Sequence, residues 1–216
     1  MKRKLIFQWA ISSYFGWGVY GLNLALNGRS ENITLATACG FSLDRINIDA
    51  ARLWLLRDFF TVSQRLAEDL GKCSGTVEAK ECTVLHALGN RLDFAAMAAN
   101  NTCLKGDRVL GVIFFEDTRL GAPEKKRAKE YERIIAGSTW NGQVLKGAGI
   151  PNVDVVLQGV DRTLFHPAPR ADLFKDRFVV FSGGKLEYRK GQDLVLRGFK
   201  IFHARHPEAV LVTAWH

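Results

Sequence analysis

The stretch IIAGSTWNGQVLKGAGIPNVDVVLQGVDRTLFHP, residues 134–167, decides how this chain is to be read. It opens on a short apolar run, IIAGS, that suits a strand. STWNGQVLKGAG (138–149) has the marks of a helix, with Ser138 or Thr139 to cap its free N–H groups and Gly149 to stop it. VDVVLQ (153–158) follows as a strand with an unbroken β-branched core. Strand, helix and strand with short connections make a β-α-β unit, the building block of a parallel sheet in an α/β protein.

The same alternation extends in both directions. Upstream, LIFQWA (5–10), ITLATACG (33–40), CTVLHALGN (82–90) and RVLGVIFFED (108–117) read as buried strands. Helices are expected from Val19 to Leu26, over 50–70, where Leu53, Leu56, Phe60 and Leu70 fall near helical spacing, and from Pro123 onward. Downstream, PAPRADLFKDR (167–177) has linker composition. RFVVFSGG (177–184), GQDLVLRGFKIFHARHP (191–207) and EAVLVTAWH (208–216) then repeat strand, helix, strand. The expected organisation is a Rossmann-like domain over 1–166, a linker over 167–176 and the first β-α-β of a second domain over 177–216. One such unit does not normally complete a domain.

Composition narrows the function classes. With 47% hydrophobic and 24% charged residues the chain is not a disordered one. Residues 121–216 hold 16 Lys/Arg against 10 Asp/Glu, whereas residues 1–120 hold 14 against 12. A basic second half suits an anionic ligand, a membrane surface or nucleic acid. No Arg-rich run, zinc-finger spacing or aromatic RNA-binding motif accompanies it, so no nucleic-acid partner is expected. Cys39, Cys73, Cys82 and Cys103 lie far apart without a C-x-x-C and read as reduced thiols. Cys82 with His86, and His203 with His206, have spacings a metal could use, but buried thiols and surface imidazoles are the expected reading.

The N-terminal MKRK followed by LIFQWAISSYFGWGVYGLNLAL looks at first like a signal peptide or an anchor. Gln8, Ser12, Ser13 and Asn23 interrupt it, and no small-x-small cleavage site follows. It reads better as strand, turn and helix. A cytoplasmic protein is expected, with peripheral contact at the inner membrane face left open by the basic surface.

Within that run Gly16, Gly18 and Gly21 spell G-x-G-x-x-G, the spacing of a dinucleotide turn. A nicotinamide site also needs an acid about 20 residues on, to hold the ribose hydroxyls. The second strand ends instead in Ala38, Cys39 and Gly40; Glu31 precedes it and Asp44 follows too late. An NAD(P)-dependent oxidoreductase is therefore the weaker reading. The glycines serve either a tight turn or the approach of backbone N–H groups to a phosphate or sugar.

Ser138, Gln158-Gly159-Val160-Asp161, Phe165-His166-Pro167, Gly184-Lys185 and Lys190-Gly191 occur in an order that resembles the interdomain region of GT-B glycosyltransferases of the retaining, family-four type. The resemblance is strongest from Gly111 onward and weak over 41–80. It implies a GT-B N-terminal domain on the acceptor side, followed by the truncated start of the donor-binding domain. It also implies transfer of a hexosyl group from a nucleotide-diphosphate sugar to a glycan, lipid or small-molecule acceptor, with no cofactor. The family's loop after the first strand faces the cleft, which accounts for Gly16 and Gly18 without a ribose acid.

On this reading negative charge collects on the departing diphosphate, and fixed cations beside it stabilise the transition state. Lys185 and Lys190 are the catalytic candidates, with Gly184 and Arg189 beside them. The family more often has Arg where Lys185 stands, and Lys keeps the charge but loses the bidentate fork. No D-x-D occurs, so no metal is expected. His86, Glu116, Asp117 and Ser138 follow or end strands at the edge where α/β folds bind ligands. Phe-Glu-Asp stands where many relatives have a histidine, and either acid serves equally well as a loop cap. For His86 a core role competes with substrate contact. The family's Glu-x7-Glu pair for sugar and ribose would lie downstream of His216, so the isolated chain is expected to be inactive. A non-catalytic glycan- or partner-binding module is the alternative.

Overall fold

The computed structural model describes residues 3–94, 102–169 and 173–216. Residues 170–172 of the expected linker lie outside them. The chain divides into two compact units, residues 1–161 and 162–216.

The first unit is built on a six-stranded, all-parallel sheet. Its central strands are β1 (Arg3–Gln8), β2 (Ile33–Thr37), β4 (Cys82–Leu88), β6 (Arg108–Ile113), β7 (Arg133–Ala136) and β8 (Val153–Val155), in the spatial order β2-β1-β4-β6-β7-β8. The helices between them are α1 (Gly16–Asn27), α2 (Ala50–Leu55), α3 (Arg57–Gly71), α4 (Ala122–Ala128) and α5 (Thr139–Gly147). From β1 the chain steps outward to β2, then returns past β1 to β4. The winding reverses between β1 and β4, and at such a switch the loops part and leave a crevice beyond the carboxyl ends of the strands.

Strand alternation assigns the two faces. Phe7, Trp9, Leu85, Ala87 and Val112 pack with Leu22 and Ala25 of α1 on one side. On the other, Ile113, Leu88, Ile134 and Ala136 pack with Ala128 and Leu145 of α4 and α5. Each fully buried large side chain contributes about 1.5–3 kcal/mol relative to exposure, so this double-sided burial is what holds the sheet between its helices. Helix α3 covers the β2 edge: its Phe59 joins the first cluster and its Leu70 joins a third with Ile6 and Val84. Ser63, midway along it, accepts the Thr37 backbone N–H through its hydroxyl at 3.0 Å.

Three details depart from the sequence expectation. The helix expected over 50–70 breaks at Leu56, which is fully buried at φ −94° and ψ 0°. Spacing alone did not reveal that its side chain needed a bend to enter the core. A pair of three-residue strands, β3 (Thr76–Glu78) and β5 (Cys103–Lys105), was not anticipated because neither is apolar enough to signal itself. Residues 5–10, read as a strand, form β1 over 3–8, and no helix among the described residues is long and apolar enough to cross a membrane.

The second unit contains β9 (Phe178–Gly184), α6 (Gln192–His203) and β10 (Ala209–Trp215), with β9 and β10 parallel and paired along their whole length. Among its described residues only Gln192 and Ala209 are buried, as expected for a single strand pair under one helix.

Candidate functional sites at the strand ends

The loop from Trp9 to Phe15 leaves β1 at the switch point. Its serines are used internally. Ser12 Oγ donates to the Arg45 carbonyl at 3.3 Å and accepts the Tyr14 N–H, while Ser13 Oγ accepts the Asn47 N–H at 2.8 Å. The three glycines lie inside the first turns of α1 rather than in the turn before it. Gly18 and Gly21 are there for close packing: a Cβ would stand 2.7 Å from Ser12 Cβ at Gly18 and 2.6 Å from the Trp9 indole nitrogen at Gly21. Gly18 is thus buried beneath its own loop. At Gly16 a Cβ would meet nothing within 4 Å, so this glycine faces open space at the helix start.

Around it stands an aromatic group that the sequence reading missed. Trp17 packs on Phe114 with ring centroids 4.9 Å apart, and Tyr20 meets the same ring edge-on at 5.2 Å. Phe114, just past β6, lies so close over Gly137 that a Cβ there would sit 2.0 Å from its ring. Trp17, Tyr20 and Phe114 are half-buried, and Tyr14 (64%), Phe15 (40%) and Val19 (40%) are exposed beside them. Burial raises the Tyr20 phenol above its ordinary value, so it stays protonated. The available signal was the absence of any charge between Lys4 and Arg29. Sequence reasoning attended to that run as a question of targeting instead.

His86 sits within β4, not at its end, and is buried. Its Nε2 donates to the Leu104 carbonyl at 2.8 Å, and its Nδ1 lies 3.4 Å from the Tyr131 hydroxyl. Gln8, its register partner on β1, accepts the Leu104 N–H and donates to the Thr102 carbonyl. Together the two side chains fasten β5 beneath the sheet. Burial lowers the imidazole pKa, which keeps it neutral for this task.

Asp117 caps its own loop. Arg119 engages both carboxylate oxygens, at 2.9 and 2.7 Å, and its backbone N–H donates to Oδ1 as well. These bonds hold the carboxyl well below the usual range. Arg91 donates to the Arg119 carbonyl at 2.8 Å and pairs with the buried Glu124, which also receives Arg127 at 2.8 Å and the Gly121 N–H at 2.7 Å. The next residue, Leu92, takes a positive φ of 56° with a wholly buried side chain. That conformation costs a leucine about 1–2 kcal/mol, offset by burial. Glu116 is exposed on the loop so fixed. Ser138 caps α5, accepting the Asn141 N–H at 3.1 Å. The end of β2 offers no ribose acid: Thr37 Oγ1 donates to the Trp9 carbonyl, and the buried Cys39 thiol is pushed up to about 12.

In the second unit the residues read as catalytic share one loop. Gly184 (φ 135°) ends β9 and Gly191 (φ 67°) caps α6, both in backbone regions that favour glycine. Between them Glu187 sits with Lys185 Nζ at 3.4 Å and Arg189 Nε at 2.7 Å. These cations lower its pKa. Gln192 ties the loop back by donating to the Lys185 carbonyl at 2.8 Å. Lys190 is exposed beside the first turn of α6, whose free N–H groups add partial positive charge. Among the described residues no three His, Cys, Asp or Glu side chains stand close enough to hold a metal ion.

A doubly wound parallel sheet with its switch at β1/β4, followed by a second strand–loop–helix–strand, is the Rossmann-like α/β architecture of the GT-B fold. The chain is similar to solved structures, the first of which shares this fold. One is an E. coli structure described as trehalose-6-phosphate bound with UDP-2-fluoro glucose, matched at 13% identity and a TM-score of 0.53. The alignment covers 99% of this chain but 64% of that one, so the chain spans less than two thirds of its length. Another is Anabaena Alr3699/HepE in complex with UDP, at 12% identity, a TM-score of 0.47 and coverage of 100% and 70%. No protein-family model and no curated protein matches the sequence.

Proposed function

We propose that this chain supplies the acceptor-side domain and the diphosphate loop of a glycosyltransferase that uses a nucleotide-diphosphate sugar. In the reaction an acceptor hydroxyl oxygen bonds to the anomeric carbon as the bond from that carbon to the diphosphate breaks. The bonding pair leaves with the diphosphate, and the hydroxyl proton is released. Charge therefore grows on the phosphate oxygens, and cations fixed in advance there act mainly on the transition state. Lys185 and Lys190 take that role, the α6 N-terminus adds its dipole, and no metal is required. Transfer of a hexosyl group with retention at the anomeric carbon belongs to the same proposal.

The observation that carries it is the loop from Gly184 to Gly191. Two glycines with positive φ hold a short cationic segment at the head of a 12-residue helix, the arrangement that receives phosphates at helix N-termini. Support also comes from the fold shared with the structure described with UDP-2-fluoro glucose. The test is calorimetric titration of UDP and GDP, in EDTA, into the protein as cells make it, carrying whatever chain follows His216. Binding of one of them, weakened by salt as an ionic contact should be, is the expected result. Failure of both diphosphates, with or without added magnesium, overturns the reading.

A further inference from the structure

We infer that Glu187 is the internal counter-ion of the cationic loop in the second unit. An entering phosphate displaces it, so this carboxylate sets how strongly the loop holds an anion. The inference rests on the proposed reading of that loop as the diphosphate site and adds a residue to it.

Between Gly184 and Gly191 the chain carries three cations, Lys185, Arg189 and Lys190, and one acid, Glu187. The two carboxylate oxygens engage different partners: Oε1 lies 3.4 Å from Lys185 Nζ, and Oε2 lies 2.7 Å from Arg189 Nε. The carboxylate is also the least exposed of the three groups, its side chain at 29% against 71% for Lys185 and 57% for Arg189. The backbone on either side of it is tied down. The Glu187 carbonyl accepts the Lys190 N–H at 2.9 Å, and the Leu186 N–H donates to the His216 carbonyl at 2.8 Å. Gln192 holds the Lys185 carbonyl. Lys185 and Arg189 lower the carboxyl pKa, so Glu187 is ionised at neutral pH.

A phosphate oxygen makes the same contact with Lys185 as this carboxylate does. Two anions on one ammonium repel each other, so binding replaces the internal contact instead of adding to it. The measured affinity is then the difference between the two contacts. An ion pair this open to water contributes little by itself, so Glu187 weakens anion binding without abolishing it.

The test is calorimetry with inorganic pyrophosphate and, separately, UDP, in EDTA at neutral pH. It uses the protein as cells make it and its variants Glu187→Gln, Glu187→Asp and Glu208→Gln. Glu208 precedes β10, whose first residue Ala209 pairs with Phe178, whereas the loop leaves β9 at Gly184, the other end of the strand pair. Glu208→Gln therefore removes the same charge away from the loop. Glu187→Gln should bind pyrophosphate on the order of 5-fold tighter, the upper range for release of one exposed ion pair. Glu187→Asp, charged but one methylene shorter, should gain less, and Glu208→Gln should match the parent. Should Glu187→Gln fail to fold, Glu187→Asp carries the same test. No gain in a folded Glu187 variant, or an equal gain in Glu208→Gln, overturns the inference. The UDP arm separates it from the transferase reading. A gain for pyrophosphate without UDP binding supports the counter-ion and removes the nucleotide site; UDP binding with unchanged Glu187 variants does the reverse.

Discussion

Two strand-to-helix turns in this protein look alike on paper and differ in what their glycines do. The passage from β1 into α1 carries no charge, with Gly16, Gly18 and Gly21 all in the first turns of the helix; the turn after β9 carries Gly184 and Gly191 around Lys185, Arg189 and Lys190. In the first, Gly18 and Gly21 let a loop and an indole press against α1, and neither has a positive φ. In the second, both glycines have positive φ. Similar punctuation thus serves close packing in one place and an unusual backbone path in the other. A G-x-G-x-x-G reports the need for glycine, and the neighbouring side chains differ: aromatic at one turn, cationic at the other.

The largest effect that would break this contrast concerns Lys190. Replacing it by Ala in the protein as cells make it should lower donor turnover on the order of 10²-fold, comparable to removing one charge-stabilising donor. Wild-type turnover would take Lys190 out of the mechanism. Next come the packing glycines. Gly18→Ala forces a Cβ to 2.7 Å from the Ser12 backbone nitrogen and should destabilise by about 1–3 kcal/mol. Gly16→Ala, in open space, should instead stabilise by about 0.4–1 kcal/mol. Urea midpoints that move together would remove the distinction between the two positions.

Gly191→Ala tests the second turn by a different route. A Cβ there finds ordinary contact with Leu194 at 3.5 Å, so the cost is conformational, about 1–2 kcal/mol for φ 67°. Gly191→Asn, which tolerates that region better, should recover part of it; equal loss in both variants would point to contacts rather than φ. The smallest effect lies beneath the first turn, at His86. Its pKa is lowered by burial from an ordinary value of 6.5, so the unfolded chain takes up the proton first. The stability it contributes is complete above that value and declines as pH falls below it toward the folded pKa. Between pH 7.5 and 5.5 the parent should lose more stability than His86→Phe. Parallel curves would mean His86 does not titrate on unfolding.

Much of the fold was legible beforehand because apolar runs bounded by glycine and polar residues leave few alternatives. The cap at Ser138, the strand at 178–184 and the helix entered at Gly191 all stand where local chemistry put them. Boundaries slipped where polar residues follow a strand. RVLGVIFFED was read to 117, but β6 ends at Ile113 because Asp117 and Arg119 close a loop. The first unit's site was least legible. Trp17 and Phe114 are 97 positions apart, and no local pattern announces that their rings touch.

What the sequence by itself determined is the order of strands and helices, the parallel sheet that order requires, and the cationic loop whose residues are neighbours along the chain. These follow from periodicity and from glycine's conformational range, which act over a few residues. Only the tertiary structure decided that His86 clamps β5 from within the sheet, that Asp117 is spent on Arg119, and that Trp17 and Phe114 meet near the switch point. Each of those depends on side chains brought together by strand register and helix packing across tens of residues. The energies that select such contacts come from burial, which local sequence does not encode.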